Sequence, residues 1–255
     1  MDIKLLMRKI LFWISVPKCV FCGEKLDFSD RGLCPSCRRI YEEHKSRNCS
    51  RCSRELRFCT CSNEHLRAHS IKRHVKIFRY LHNQSSAPGN QLIFSLKEDN
   101  REDVIDFLAD ELSTAIFDNI DADFQDCILT NVPRRKISIL NFGFDHTKQL
   151  AIAISRKTGI KYTDLFVSRS KRAQKGLSGQ DRIRNADYDY KRWKHVDLRG
   201  QTAIIVDDVT TTGSTLGACA TLAKGLGVRE VIALTVASAY NDEYVKREIK
   251  KRDRY

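Results

Sequence analysis

No apolar run in this 255-residue chain is long enough to cross a membrane. The best stretch, Ile3 to Val16, is broken by Lys4, Arg8 and Lys9 and falls short of the ~18–20 apolar residues a spanning helix needs. It also lacks a clean apolar centre and a small-residue cleavage site ahead of Cys19 and Cys22, which argues against a secretory signal. A short amphipathic helix in a cytoplasmic protein with no membrane span is the expectation. Proline is scarce, at 4 residues, and glycine is limited to 12, whereas 42% of the residues are hydrophobic. That balance excludes collagen-like and disordered classes. Two nucleotide-binding signatures are missing as well: there is no Gly-Lys-Ser/Thr, and no Gly-x-Gly-x-x-Gly follows an expected strand. Their absence counts against nucleoside triphosphatases and Rossmann dehydrogenases.

What the chain does have is positive charge, 45 Lys and Arg against 32 Asp and Glu, for a net +13. The excess is local. Residues 1–90 hold 18 basic and 8 acidic side chains, residues 91–166 hold 9 and 13, and residues 167–199 hold 10 and 4. Two basic regions therefore flank an acidic or neutral body. The length suits one ordinary domain and a small one, and the change of pattern places them at 1–66 and 67–255.

Eight of the ten cysteines lie between 19 and 61, as Cys19-x-x-Cys22, Cys34-x-x-Cys37, Cys49-x-x-Cys52 and Cys59-x-Cys61. A C-x-x-C knuckle turns two thiolates toward one cation, and two knuckles close a tetrahedral zinc site. Sequential sites, Cys19/Cys22/Cys34/Cys37 and Cys49/Cys52/Cys59/Cys61, are the favoured pairing; a cross-braced pairing of knuckle one with three and two with four stays open. Disulfides are the other reading of paired cysteines, but a reducing compartment favours metal. Cys127 and Cys219 fall on an expected strand and helix as core residues. Closed four-cysteine sites stabilise a fold without doing chemistry, so the module is a double zinc ribbon serving as scaffold or binding surface. Arg38, Arg39 and Arg51 lie among its ligands, and Arg67, Lys72, Arg73, Lys76 and Arg79 follow with Phe78 and Tyr80. Charge beside aromatics suits single-stranded DNA, whose phosphates pair and whose bases stack; a merely solvated basic face is the alternative.

Beyond residue 90 helical and strand patterns alternate: a helix through Ile105 to Ile116, a strand at 127–132, a helix through 150–155, short strands at 162–167 and 202–206, a helix at 214–226 and a strand at 231–237. Alternation of this kind predicts an α/β domain on a parallel sheet flanked by helices. Its strongest motif is Ala203-Ile-Ile-Val-Asp-Asp-Val-Thr-Thr-Thr-Gly-Ser-Thr-Leu216. An apolar strand delivers Asp207 and Asp208 to the end of the sheet, where α/β folds bind ligands. Thr210, Thr211, Thr212, Gly213, Ser214 and Thr215 then form a hydroxyl-rich turn into a helix N-terminus, the place for a phosphate monoester. Two acids for ribose hydroxyls beside a phosphate turn read as a phosphoribose site.

This motif resembles that of type I phosphoribosyltransferases, and with the cysteine pairs ahead of it the chain is similar to the ComF family of competence-associated proteins. Asn131-Val-Pro133 with Arg134, Arg135 and Lys136 resembles that fold's pyrophosphate-side loop. Phe142-Gly-Phe-Asp-His146 stands where the family has Arg-Gly-Phe-Asn-Gln, so Gly143 and Phe144 match while Phe142, Asp145 and His146 depart. Arg169 to Ser178, with Arg182 and Asn185, looks like its flexible loop. The resemblance implies phosphoribosyl pyrophosphate with Mg2+ as ligand. Asp207 and Asp208 would orient the ribose, Thr210 to Thr215 would anchor the 5′-phosphate, and Arg134, Arg135, Lys171 and Arg172 would face the pyrophosphate. It also implies handling of single-stranded DNA during natural transformation, beside a helicase-like competence protein. An active phosphoribosyltransferase of nucleotide metabolism with an unidentified acceptor is the other expectation. Glutaminase chemistry is not expected, because the early cysteines are spent on metal-type pairs.

Overall fold

The computed structural model describes residues 16–80, 87–169, 187–191 and 197–239. Its centre is a five-stranded parallel sheet made of β1 (Ile71–Arg79), β2 (Cys127–Asn131), β3 (Lys161–Tyr162), β6 (Thr202–Thr210) and β7 (Glu230–Ser238), in the order β1-β7-β6-β2-β3. A second, antiparallel pair joins β4 (Phe166–Ser168) to β5 (Tyr188–Tyr190). The central strands are near-continuous apolar runs because helices cover both faces of a parallel sheet. Along β6 the pleat alternates: Ile204 and Val206 enter one core and Ala203 and Ile205 the other.

One face is covered by α3 (Pro88–Glu98), α4 (Glu102–Asn119) and α6 (His146–Thr158), and the other by α7 (Ser214–Gly225). Two further helices, α1 (Pro35–Lys45) and α2 (Glu64–Ala68), belong to the cysteine-rich segment, and α5 (Lys136–Phe142) follows β2. The first cysteine pairs share their core with the body: Cys19, Leu26, Leu33, Cys34, Cys37 and Tyr41 pack in one cluster with Leu92, Val104 and Leu108. The Tyr41 ring meets Phe78 and Phe107 edge-on, at 5.7 and 5.4 Å between centroids, and its hydroxyl donates to Glu111 at 3.0 Å. Each such apolar side chain contributes about 1.5–3 kcal/mol by leaving water. Polar contacts fix the docking: the Gly32 amide donates to Asp103 Oδ2 at 2.9 Å, and Arg101 reaches the Lys18 carbonyl at 2.7 Å.

The alternating pattern read from the sequence holds, with three differences. The strand expected at 162–167 divides, since the Thr163 amide still donates to Leu129 O at 2.7 Å but the chain then leaves the sheet at Asp164, whose carboxylate takes both Lys148 and Lys191. The strand expected to stop at 206 continues as β6 to Thr210, so both acids lie on paired strand, Asp207 opposite Thr235. Residues 71–79, read as a basic and aromatic surface, form an edge strand in which Lys76 is 0% and Phe78 2% exposed, and Arg73 is paired with Glu230 at 2.7 Å. Lys76 and Phe78 are thus taken up by the fold and do not present a nucleic-acid face, while Arg73 is part-buried and ion-paired. No described helix is long and apolar enough to cross a membrane.

Candidate functional site

β6 carries Asp207 and Asp208 to the carboxyl end of the sheet, both buried. Consecutive strand positions turn to opposite sides, and the two acids find different partners. Asp207 Oδ2 accepts from Thr215 Oγ1 at 3.1 Å, on the α7 side, and its Oδ1 accepts the Asp208 amide at 2.9 Å. Asp208 Oδ2 meets His146 Nε2 at 2.6 Å and Lys97 Nζ at 3.0 Å, from the ends of α6 and α3. The consequence is a strongly asymmetric pair. Burial, and then the Asp208 charge, push Asp207 up to about 8. Burial also opposes ionisation of Asp208, but the Lys97 charge and the His146 hydrogen bond outweigh it and hold that carboxyl well below the usual range. Nearby, buried His146 Nδ1 has no hydrogen-bond partner among the described residues.

The turn after β6 closes through Gly213, at φ +86°, a left-handed conformation that costs a side-chain-bearing residue. Thr212 Oγ1 accepts the Ser214 amide at 3.3 Å and lies 3.1 Å from Ser214 Oγ, so hydroxyls line the loop. α7 begins at once, and the first amides of a helix have no intrahelical acceptors.

β2 is hydrogen-bonded to β6, with Asn131 opposite Val206 and the Val132 amide donating to Val206 O at 2.9 Å. That register sets the next loop beside the acids. Arg134 Nη1 reaches the carbonyls of Lys97 and Phe144 at 3.2 and 3.4 Å, with its guanidinium 4.2 Å from the centroid of Phe142. Arg135 donates to Ser138 Oγ at 3.2 Å. Asp145, one of the departures, accepts the amides of Arg134 at 3.0 Å and Lys148 at 3.2 Å. It therefore ties the loop to the start of α6. The structure thus assembles Asp207, Asp208, Thr210 to Thr215 and Arg134 at one end of the sheet. Lys171 and Arg172, the rest of the 169–178 loop beyond Arg169, Arg182, Asn185 and the expected amino-terminal helix lie outside the described residues.

Two contributors escape sequence reasoning. His146 reads there only as a mismatch, and Lys97 sits in an ordinary helical pattern; what identifies them is convergence on Asp208, which only the fold supplies.

The cysteines form two groups, Cys19/Cys22/Cys34/Cys37 and Cys49/Cys52/Cys59/Cys61, each with its four Sγ atoms within 4.8 Å of one another. The sequential pairing is therefore the observed one, and the cross-braced one is not. Cys22 and Cys34 Sγ are 3.7 Å apart, which matches the edge of a tetrahedron with metal–sulfur bonds of about 2.3 Å, as zinc has. In the second group, burial opposes ionisation of Cys49, yet the amides of Arg51 and Cys52 hold it at about 7, while burial and the Cys59 charge push Cys61 up to about 12. Four cysteine sulfurs gathered within 4.8 Å of one another are the donor set of a closed tetrahedral site, so both groups fit zinc. Cys127 and Cys219 are buried core residues, as expected.

Of the nucleic-acid candidates, Arg39 is exposed on α1, Arg38 leans over the Phe107 ring at 4.9 Å, and Arg51 donates to Ser62 O at 2.6 Å.

A parallel sheet of this order ending in an acid pair and a hydroxyl-lined turn has the architecture of a phosphoribosyltransferase-type domain. The family model for the phosphoribosyl transferase domain matches residues 109–253, and the chain belongs to that family. Competence protein F of Haemophilus influenzae is 27% identical over 230 residues, 87% of this chain and 97% of that protein. The ComF resemblance read from the sequence is borne out by these two findings together. Among solved structures, the allosteric regulatory enzyme of purine biosynthesis is 19% identical with a TM-score of 0.35, covering 56% of this chain and 30% of that one. A hypoxanthine phosphoribosyltransferase from Staphylococcus aureus is 11% identical with a TM-score of 0.35, covering 52% and 62%. A purine phosphoribosyltransferase from Pyrococcus horikoshii is 20% identical with a TM-score of 0.29, covering 65% and 77%.

Proposed function

We propose that this chain binds phosphoribosyl pyrophosphate with Mg2+ at the carboxyl end of β6. The observation that carries the reading is the junction of two buried acids with a hydroxyl-lined loop at the start of α7. Thr210 to Thr215 would hold the 5′-phosphate through hydroxyls and first-turn amides. Asp207 and Asp208 would accept from the ribose hydroxyls, and Arg134 and Arg135 would face the pyrophosphate. The magnesium ion, when bound, would supply positive charge to the pyrophosphate, beside the buried acids Asp207 and Asp208. The protein's part is orientation and fixed charge, and no described residue stands out as a base to activate the acceptor. Whether the chain transfers phosphoribose to an acceptor in nucleotide metabolism or uses the ligand as a signal is decided by turnover. Asp207→Ala with Asp208→Ala should abolish binding of phosphoribosyl pyrophosphate and leave zinc content unchanged; wild-type affinity in that variant would remove the site assignment.

Single-stranded DNA is the second ligand of this reading, with zinc in both cysteine clusters, 1–66 as the nucleic-acid module, a helicase-like competence protein as partner and DNA uptake in the cytoplasm as the role. A specific feature supports it. A cleft of about 550 Å³ beside the second cluster, on the amino-terminal side of the sheet, is lined by Arg54, Phe58, Thr60 and Arg73 together with Glu55, Asp118 and Asn119. Arg57 stacks at 4.5 Å on Phe58, which is itself 38% exposed. Replacing Arg38, Arg39 and Arg51 with Ala should weaken oligonucleotide binding and reduce its salt slope by about 1–3. An unchanged slope would place the binding elsewhere.

A further inference from the structure

The chain leaving the second cysteine cluster touches the loop after β6, through Asn63 and Leu66. Two residues past Cys61, Asn63 donates from Nδ2 to the Thr212 carbonyl at 3.1 Å, while its Oδ1 accepts the Leu66 amide at 2.8 Å and caps α2. In a trans peptide the carbonyl and the amide point in opposite directions. Pinning Thr212 O toward the module therefore turns the Gly213 amide the other way, into the loop. Leu66, fully buried, fills the space beside Gly213, where an added Cβ would come within 2.7 Å of its Cδ2. His69 presses on the next turn, 2.8 Å from where a Cβ on Gly217 would lie, and its Nδ1 is 3.0 Å from Thr221 Oγ1.

The same cluster is tied to the strand behind the loop. Lys76 of β1 is 0% exposed, and its ammonium is 3.2 Å from Cys59 Sγ and from Cys59 O, 3.0 Å from Cys61 O and 3.1 Å from His74 O. A buried ammonium requires a compensating anion, and a zinc ion held by four thiolates is a net dianion. Two residues earlier on that strand, buried His74 lies 2.8 Å from Thr235 Oγ1 and 3.4 Å from Thr210 Oγ1, where β6 passes into the loop. Both ends of the phosphate loop are thus braced by residues attached to this cluster, whereas the first cluster docks on α4 through Gly32 and Lys18.

We infer that the second cysteine cluster is part of the phosphate site: with its metal bound it holds Asn63 and Leu66 against the loop, Asn63 is a positioning residue for the ligand's phosphate, and metal occupancy sets phosphate affinity. This rests on the phosphoribose reading above and deepens it.

The test is calorimetric titration of ribose 5-phosphate, and separately of phosphoribosyl pyrophosphate with Mg2+, into full-length zinc-loaded protein, with zinc counted in every sample. Asn63→Asp keeps the cap on α2, because a carboxylate accepts the Leu66 amide as well as an amide oxygen does, but it has no donor for Thr212 O. It should retain all its zinc and bind ribose 5-phosphate about tenfold more weakly or worse; Asn63→Ala should lose about five- to tenfold. Cys61→Ser should lose one zinc and weaken binding at least as much, while Cys22→Ser, in the first cluster, should lose zinc without weakening it. Unchanged affinity in both Asn63 variants with full zinc would overturn the inference, as would equal losses from Cys22→Ser and Cys61→Ser. Failure of the wild-type protein to bind either ligand would instead overturn the phosphoribose reading, and this proposal with it.

Discussion

Asp207 and Asp208 are chemically identical neighbours separated by what surrounds them. Asp208 has Lys97 and His146; Asp207 has one threonine hydroxyl and one amide. A carboxyl raised from its ordinary value to about 8 by burial binds its proton more tightly in the folded state. It therefore favours folding at low pH, and that contribution is lost as pH rises from about 4 through about 8. Ligand-free protein should accordingly lose thermal stability between about pH 5 and pH 8.5, and Asp207→Asn should lose much less over that window. Asp208 has the opposite sign: depressed in the fold, it stabilises above its unfolded value near 4 and fails only in acid. Asp208→Asn should cost about 1–3 kcal/mol at neutral pH, a value reduced because the Lys97 side chain is 34% exposed. Melting curves across pH for both variants check the assignment, and parallel curves for wild type and Asp207→Asn would contradict it.

At the scale of elements, the phosphate loop and the first cysteine cluster each hinge on a single small residue type. Gly213 combines φ +86° with Leu66 packed where a Cβ would stand. Gly213→Ala should cost about 1–3 kcal/mol in urea denaturation and weaken phosphoribosyl pyrophosphate by at least tenfold, while full affinity would mean the loop is not the phosphate site. Cys34 is buried in the core shared with α3 and α4, so Cys34→Ser should lower bound zinc by one ion per chain and the melting temperature by several degrees. A full metal count would remove it from the ligand set. Much of this was legible beforehand. The run from Ala203 to Val206 reads as a buried strand, the acids and threonines after it as a phosphate turn, and the cysteine spacing as metal-type pairs, because each signal is local; which pairs share a site needed the fold. The exceptions are all non-local. Lys76 and Phe78 read as surface until β1 takes its place beside β7, and Lys97 and His146 reach Asp208 from other elements, so nothing in their own neighbourhoods marks them.

At the scale of the whole molecule, the amino-terminal cysteine segment and the parallel-sheet body share one apolar core on one face, and on the other the segment reaches the phosphate loop through Asn63 and Leu66. The basic excess of the first 90 residues is divided between that segment, with 13 basic and 8 acidic side chains in residues 1–66, and the stretch 67–79 that leads into and forms β1. A phosphoribose ligand on the body and a nucleic acid on the module would therefore sense one another through contacts already in place. The central claim is the phosphoribose site, and its most direct test is calorimetric titration of phosphoribosyl pyrophosphate with Mg2+ into the zinc-loaded protein. Saturable one-to-one binding that requires Mg2+ and disappears with Asp207→Ala and Asp208→Ala is the predicted result. Absence of binding by the wild-type protein, with both zinc ions in place, would contradict it.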